Sequence, residues 1–146
     1  MRIDLADVNV LLALIDPVHV HHEAASQWFV DASGRGWATC PLTENGFVRI
    51  LSNPSYPGVR LSPADAIALL ETLRQNHAAT HHFWPDSVSL CDRTLFRPQA
   101  IAGPRQITDV YLLGLCQQNG GTLAMLDAAI TDAAIVSPHT ELIRRL

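Results

Sequence analysis

The chain has 146 residues, 48% hydrophobic and 16% charged, and a formal net charge of −4. This is the composition of one compact domain over residues 1–146, able to bury roughly 68–70% of the surface its unfolded form exposes, and it excludes a disordered chain. The acidic balance excludes nucleic-acid binding through a broad basic surface, so any such contact is local or bridged by a metal. All ten basic residues are Arg, so a phosphate clamp would be a planar guanidinium. Cys40, Cys91 and Cys116 are odd in number, far apart and in no Cys-x-x-Cys pattern. They point to a reducing cytoplasm rather than a disulfide framework or a cysteine zinc site. The first apolar run lacks a basic lead and is broken by Asp4, Asp7 and Asp16, so it reads as neither signal peptide nor membrane span.

In chain order, residues 3–6 read as a buried strand that ends at the Asp7 carboxylate. A helix follows from about residue 8 to 14 or 15, stopped before Asp16-Pro17 because a residue preceding proline is biased out of the helical region. Residues 23–32 carry Ala24, Ala25, Trp28 and Phe29 at helical spacing, and Gly34-Arg35-Gly36 ends that helix. Residues 37–40 form a short strand, after which Glu44 falls in the first turn of an amphipathic helix closed by Asn53-Pro54. Ser62, Pro63 and Asp65 make an N-cap, a first-position proline and a third-position acid for a helix reaching Asn76. Residues 81–84 form another strand, 86–96 are read as partly helical, and 97–106 as an exposed Pro/Gly loop. Thr108 is expected to N-cap a helix that opens at Asp109 and ends at Gly120-Gly121. Residues 122–126 are a strand with Asp127 at its end, 128–134 a further helix, and Leu142-Ile143 a last edge strand. Alternating strands and helices predict an α/β fold with a mainly parallel central sheet flanked by helices.

Four carboxylates then stand at matching places: Asp7 and Asp127 end strands, and Glu44 and Asp109 open helices. Ligands of open α/β sheets gather beyond the carboxyl ends of strands. Crowded carboxylates repel and hold protons unless a counter-charge intervenes. A divalent cation such as Mg²⁺ or Mn²⁺ resolves that conflict, prefers oxygen ligands, and suits phosphodiester hydrolysis. The plainer reading is that a first-turn acid only complements a helix dipole. Asp7, between apolar segments where an unpaired carboxylate is costly, resists that reading most. Asp4 sits at odd spacing from Asp7 and faces the other way.

The runs Asp7-Val8-Asn9-Val10-Leu11-Leu12, Thr43-Glu44-Asn45-Gly46-Phe47-Val48-Arg49-Ile50-Leu51, Thr108-Asp109-Val110-Tyr111-Leu112-Leu113 and Leu123-Ala124-Met125-Leu126-Asp127 resemble, in order and spacing, the successive motifs of PIN domains. More narrowly they resemble the VapC toxins of bacterial VapBC toxin–antitoxin pairs. The resemblance implies a PIN-like fold and a metal-dependent endoribonuclease. On it, Asp7, Glu44, Asp109 and Asp127 would be the catalytic acids holding Mg²⁺ or Mn²⁺, with Asn9, Thr43 and Thr108 as polar support. It also implies a VapB-type antitoxin partner, an RNA substrate and a homodimer. In many relatives a basic residue follows the last aspartate; here Ala128 and Ala129 follow, which leaves Asp132 as a substitute for Asp127.

Arg97 and Arg105 flank the loop before Asp109 and are candidate RNA contacts, while Arg49 lies about 140° round the helix from Glu44. His19, His21, His22 and the His81-His82 pair lack zinc spacing and read as packing or loop residues. Trp28 and Phe29 give an apolar face, mostly core, part of which could seat an antitoxin segment. Two alternatives stand beside the ribonuclease: a DNA- or structure-specific nuclease using the same acids, and a catalytically silent RNA- or antitoxin-binding module. A phosphoaspartate role for Asp7 is weaker, since no Asp follows two residues on and no Lys exists to pair with it.

Overall fold

The computed structural model describes residues 2–127, 129–139 and 141–146. Its strands are β1 (Asp4–Ala6), β2 (Trp37–Thr39), β3 (His81–Phe83), β4 (Thr122–Met125) and β5 (Ile143–Arg145). Its helices are α1 (Val8–Ile15), α2 (His22–Arg35), α3 (Pro41–Leu51), α4 (Pro63–Asn76) and α5 (Ile107–Asn119). The strands form one sheet in the order β3-β2-β1-β4-β5, and every neighbouring pair is parallel. The expected α/β architecture with a mainly parallel sheet is the one observed. Among the described residues no helix is long and apolar enough to cross a membrane.

The three central strands, β2, β1 and β4, are buried on both faces, as parallel strands covered by crossover helices must be, while the edge strands β3 and β5 are largely exposed. The period-2 alternation of strand side chains divides the core in two. Ala6, Trp37 and Ala124 point into one cluster with Val10, Leu11, Phe29, Phe47 and Leu70 from α1 to α4. Leu5, Ala38, Leu123 and Met125 point into the other, with Leu112, Leu113 and Leu115 of α5. Gly114 permits part of this second layer: a Cβ there would collide with the Phe96 ring.

Local sequence explains most boundaries. Ser62 and Asp65 exchange a capping box at the start of α4, with Pro63 at the first position. Three segments depart from expectation. A 3₁₀ turn at Pro104–Gln106 runs directly into α5, so the helix opens at Ile107 and Thr108 lies inside it rather than capping it. Residues 86–96 form turns and irregular backbone ending in the Phe96 bridge, without helix. Residues 129–134 form bends and turns, with Ile135 bridging antiparallel to Phe96. The expected 128–134 helix is thus not formed there, and Ala128 itself lies outside the described residues.

Asp4 anchors the amino end of the sheet. It is fully buried, its Oδ2 accepts from Trp28 Nε1 at 2.8 Å and Arg35 Nη2 at 2.5 Å, and the same oxygen is ion-paired with Arg144 Nε at 2.8 Å. One carboxylate thereby ties α2 and β5 to β1. Asp4→Asn keeps the shape but leaves the mostly buried Arg35 guanidinium without its buried counter-charge. Removing one partner of a buried pair costs about 3–5 kcal/mol, so urea unfolding of Asp4→Asn should show a loss near the lower end of that range; a loss below about 1 kcal/mol would show that the anchor is dispensable.

Candidate active site

The strand order reverses direction between β1 and β4, since β2 and β3 extend to one side of β1 and β5 lies beyond β4 on the other. Such a switch point is where open α/β sheets hold ligands, because the crossovers leave a crevice at the strands' carboxyl ends. Asp7 follows β1 immediately, and its backbone N–H donates to Ala124 O on β4 at 3.0 Å. Asp127 lies two residues beyond β4, and Asp109 is in the first turn of α5. Three of the four predicted acids therefore meet at the switch point.

Their electrostatics record the meeting. Asp7 is only 8% exposed, and its carboxyl is pushed up to about 6. Burial is the largest cause, followed by the Asp109 charge; the Val8 N–H opposes, and the Asp127 charge adds. Asp109 is also raised, by burial and then by Asp127. Asp7 doubles as the N-cap of α1, with Oδ1 accepting from Val8 N at 2.8 Å. Asp127 is exposed, and its Oδ1 accepts from Ala129 N at 2.8 Å.

Glu44 is placed differently. Arg74 Nη1 donates to both of its oxygens, at 3.2 and 3.0 Å, and Thr39 Oγ1 donates to Oε2 at 2.6 Å. Because Thr39 spends its one proton on Glu44, its 2.8 Å contact with His81 Nε2 requires the ring to donate. His81 is pushed down to about 4, first by burial and then by the Arg74 and His82 charges, so it is neutral and carries Nε2–H. Arg74 also lies over the Phe83 ring, 5.2 Å from its centre. Glu44 thus belongs to a network on β2, α4 and β3, and the charges that raise Asp7 are those of Asp109 and Asp127.

Thr43 is fully buried; its Oγ1 accepts from Cys40 N at 3.0 Å and donates to Cys40 O at 3.1 Å, holding the start of α3. Asn9 is exposed and shares a concavity with His19, His21, Leu126 and Asp127. Thr108, Arg97 and Arg105 are exposed. Trp28 and Phe29 are each only 7% exposed, with Trp28 bonded to Asp4 and Phe29 edge-on to Trp37, so that face is core and offers no groove. Sequence reading missed Arg74, Thr39, His81 and the placing of His19 and His21. Only Thr39 carried a signal: it ends β2, as Asp7 follows β1.

The donor chemistry at the switch point suits a hard cation. It is all oxygen, and mutual repulsion gives it a reason to accept positive charge. As the side chains stand, no three acidic, imidazole or thiol groups among the described residues converge tightly enough to ligate one ion directly. Mg²⁺ retains several waters and needs only one or two direct carboxylates, so Asp7, Asp109 and Asp127 fit it, while Glu44 would first have to leave Arg74.

No family model matches the chain. It is 47% identical over 130 residues to Ribonuclease VapC39 of Mycobacterium tuberculosis, covering 89% of this chain and 92% of that protein. It is 44% identical over 131 residues to Ribonuclease VapC44 of the same organism, covering 90% of each. Ribonuclease VapC38, also from that organism, is 41% identical over 136 residues, 93% of each.

The raised Asp7 carboxyl makes stability depend on pH. Between about 4 and 6 the folded chain keeps a proton that the unfolded chain has released. Stability of the metal-free protein therefore falls as pH rises through that window. The cost at neutral pH is on the order of 3 kcal/mol. Asp7→Asn retains an N-cap acceptor and removes the charge. In chelator-containing buffer it should melt several degrees above the parent chain at pH 7 and close to it at pH 4. Equal melting temperatures at pH 7 would contradict the strained carboxylate.

Proposed function

The chain belongs to the VapC ribonuclease family, and we propose that it is an endoribonuclease, the toxin of a type II toxin–antitoxin pair, acting in the cytoplasm with Mg²⁺ or Mn²⁺. The observation that carries the metal reading is the confrontation of Asp7, Asp109 and Asp127 at the sheet's switch point, where burial and repulsion hold Asp7 up to about 6. A divalent cation supplies there a lowered pKa for water and a counter-charge for the phosphate.

The chain's own residues have separable tasks in this reading. Asp7, Asp109 and Asp127 would hold the cation. The Val8 N–H fixes Asp7 Oδ1, so the carboxylate is oriented before any ligand arrives. Thr43 supports the site through the backbone at the start of α3. Asn9 would hydrogen-bond to substrate or ligand in the concavity it shares with Asp127. Glu44 joins the acids only when its bonds to Arg74 are exchanged. RNA would lie in a concavity of about 790 Å³ that runs from Glu44 past Asn45, Arg49 and Asn53 to Arg74 and Phe83. Guanidinium groups and an exposed aromatic ring suit single strands, whose phosphates and bases they meet in turn. Arg97 and Arg105 would contact RNA from the loop before α5. A cognate VapB-type antitoxin is the proposed partner, and a homodimer the proposed assembly.

A second reading, a silent RNA- or antitoxin-binding module, draws on the Glu44–Arg74 pair, which neutralises one of the four acids. One experiment separates the readings. The purified chain should cleave RNA in Mg²⁺ or Mn²⁺, lose cleavage with chelator, and prefer RNA over single-stranded DNA in competition. Asp7→Asn, folded by circular dichroism, should lose at least 100-fold in rate, as removal of charge-stabilising groups typically does (about 10²–10³). Undiminished cleavage by folded Asp7→Asn would overturn the assignment. Absence of cleavage and of Mn²⁺ binding by the parent chain would favour the silent module.

A further inference from the structure

The segment after β4 carries Asp127, and within that segment the Ala129 N–H holds one carboxylate oxygen, Oδ1, at 2.8 Å. Residues 129–134 are bends and turns, and Asp127 is exposed. Its far end is stitched to the 95–97 strand-like stretch, through Arg97 N to Ala134 O at 2.7 Å and Val136 N to Leu95 O at 2.9 Å. Its near end is held from the last strand. Arg145 Nη1 donates to Asp127 O at 2.7 Å, and Arg145 Nη2 donates to Ile130 O at 2.5 Å. The two carbonyls are three residues apart, and one guanidinium spans them. Arg145 is itself fixed by the sheet: it pairs in register with Met125, and the next residue's N–H, that of Leu146, donates to Met125 O at 3.1 Å.

We propose that Arg145 is a positioning residue for the acidic site, clamping the main chain on both sides of the turn so that the Asp127 carboxylate is held facing Asp7 and Asp109. The inference rests on the reading that these acids hold a divalent cation. The task needs arginine specifically. A guanidinium offers a rigid planar fork that reaches both carbonyls at once, whereas an ammonium is a single point that satisfies one. The clamp acts on carbonyl oxygens and leaves the carboxylate uncovered, which is what a group meant to receive a cation requires. Ile130, buried beneath the turn, keeps the loop from lifting as a whole, so the expected effect of losing the fork is a wandering carboxylate rather than an unfolded segment.

The test is Mn²⁺ binding, read from the electron paramagnetic resonance signal of free Mn²⁺, on the full chain and on Arg145→Met, Arg145→Lys, Asp127→Asn and Arg145→Met/Asp127→Asn, each checked for folding by urea denaturation. Outer partners of metal ligands typically contribute about 10–100-fold to affinity. Arg145→Met should weaken Mn²⁺ binding about 10-fold, and Arg145→Lys by less. Because Arg145 acts through Asp127, the double variant should bind no more weakly than Asp127→Asn alone. Parent-like affinity in folded Arg145→Met, beside a weakened Asp127→Asn, overturns the inference and leaves the metal site standing; so does a double variant that shows the product of both losses. A parent chain that takes up no Mn²⁺ removes the metal reading and this inference with it.

Discussion

The site depends on one electrostatic conflict. A parallel sheet whose order reverses between β1 and β4 opens a crevice there, and the sequence places Asp7, Asp109 and Asp127 around it. Asp7 cannot relax into water, because the same residue caps α1 and lies under the packed carboxyl end of β1. Burial and two neighbouring charges make its ionised form costly, and no cation of the protein is among the causes acting on it. A fold that sought only stability would place an amide or a serine at that cap. The retained carboxylate is an unbalanced charge awaiting a counter-charge from outside the chain.

Elsewhere the protein balances its buried acids internally, which makes the contrast at Asp7 informative. Asp4 is more deeply buried than Asp7, but Trp28, Arg35 and Arg144 surround one of its oxygens. Glu44 has Arg74 and Thr39. Arginine, the chain's sole cationic residue apart from histidine and the amino terminus, therefore sorts the acids into two groups. Those at the sheet's amino end and in the α3–α4 groove are neutralised, and those at the switch point are left exposed to one another. Arg145 follows the same logic from a distance, bonding to carbonyls of the Asp127 turn rather than to its carboxylate.

Much of this was legible in the sequence where the signal is local. The step from apolar strand to Asp7 to helix, and the Ser62-Pro63-Asp65 start of α4, each carry their own boundary chemistry, and the structure follows them. Period and spacing placed Asp7, Glu44, Asp109 and Asp127 at one edge, but Glu44 is drawn off into its pair with Arg74. What was not legible is non-local. Thr108 resembles an N-cap, yet the 3₁₀ turn at Pro104–Gln106 had already set helical geometry before it. Residues 128–134 carry helix-compatible alanines, but over 129–134 backbone carbonyls are taken by Arg145 and by Arg97, and Ile135 bridges to Phe96. Trp28 and Phe29 looked like surplus apolar surface because their partners, Asp4 on β1 and Trp37 on β2, come from strands on either side of α2 in the sequence. Arg74 lies thirty residues from Glu44, and no spacing rule links them.

The most direct test is the proton released when metal binds. Metal affinity for a carboxylate site competes with protonation, so binding displaces whatever protons the site holds. Calorimetric titration of Mn²⁺ into the protein at pH 6, in two buffers of different ionisation enthalpy, measures that proton count. With Asp7 held up to about 6, binding should release about half a proton or more at pH 6 and almost none at pH 8, and Asp7→Asn should remove most of the release, leaving only what the raised Asp109 contributes. Binding that releases no proton at pH 6, or a release undiminished in Asp7→Asn, would contradict the account.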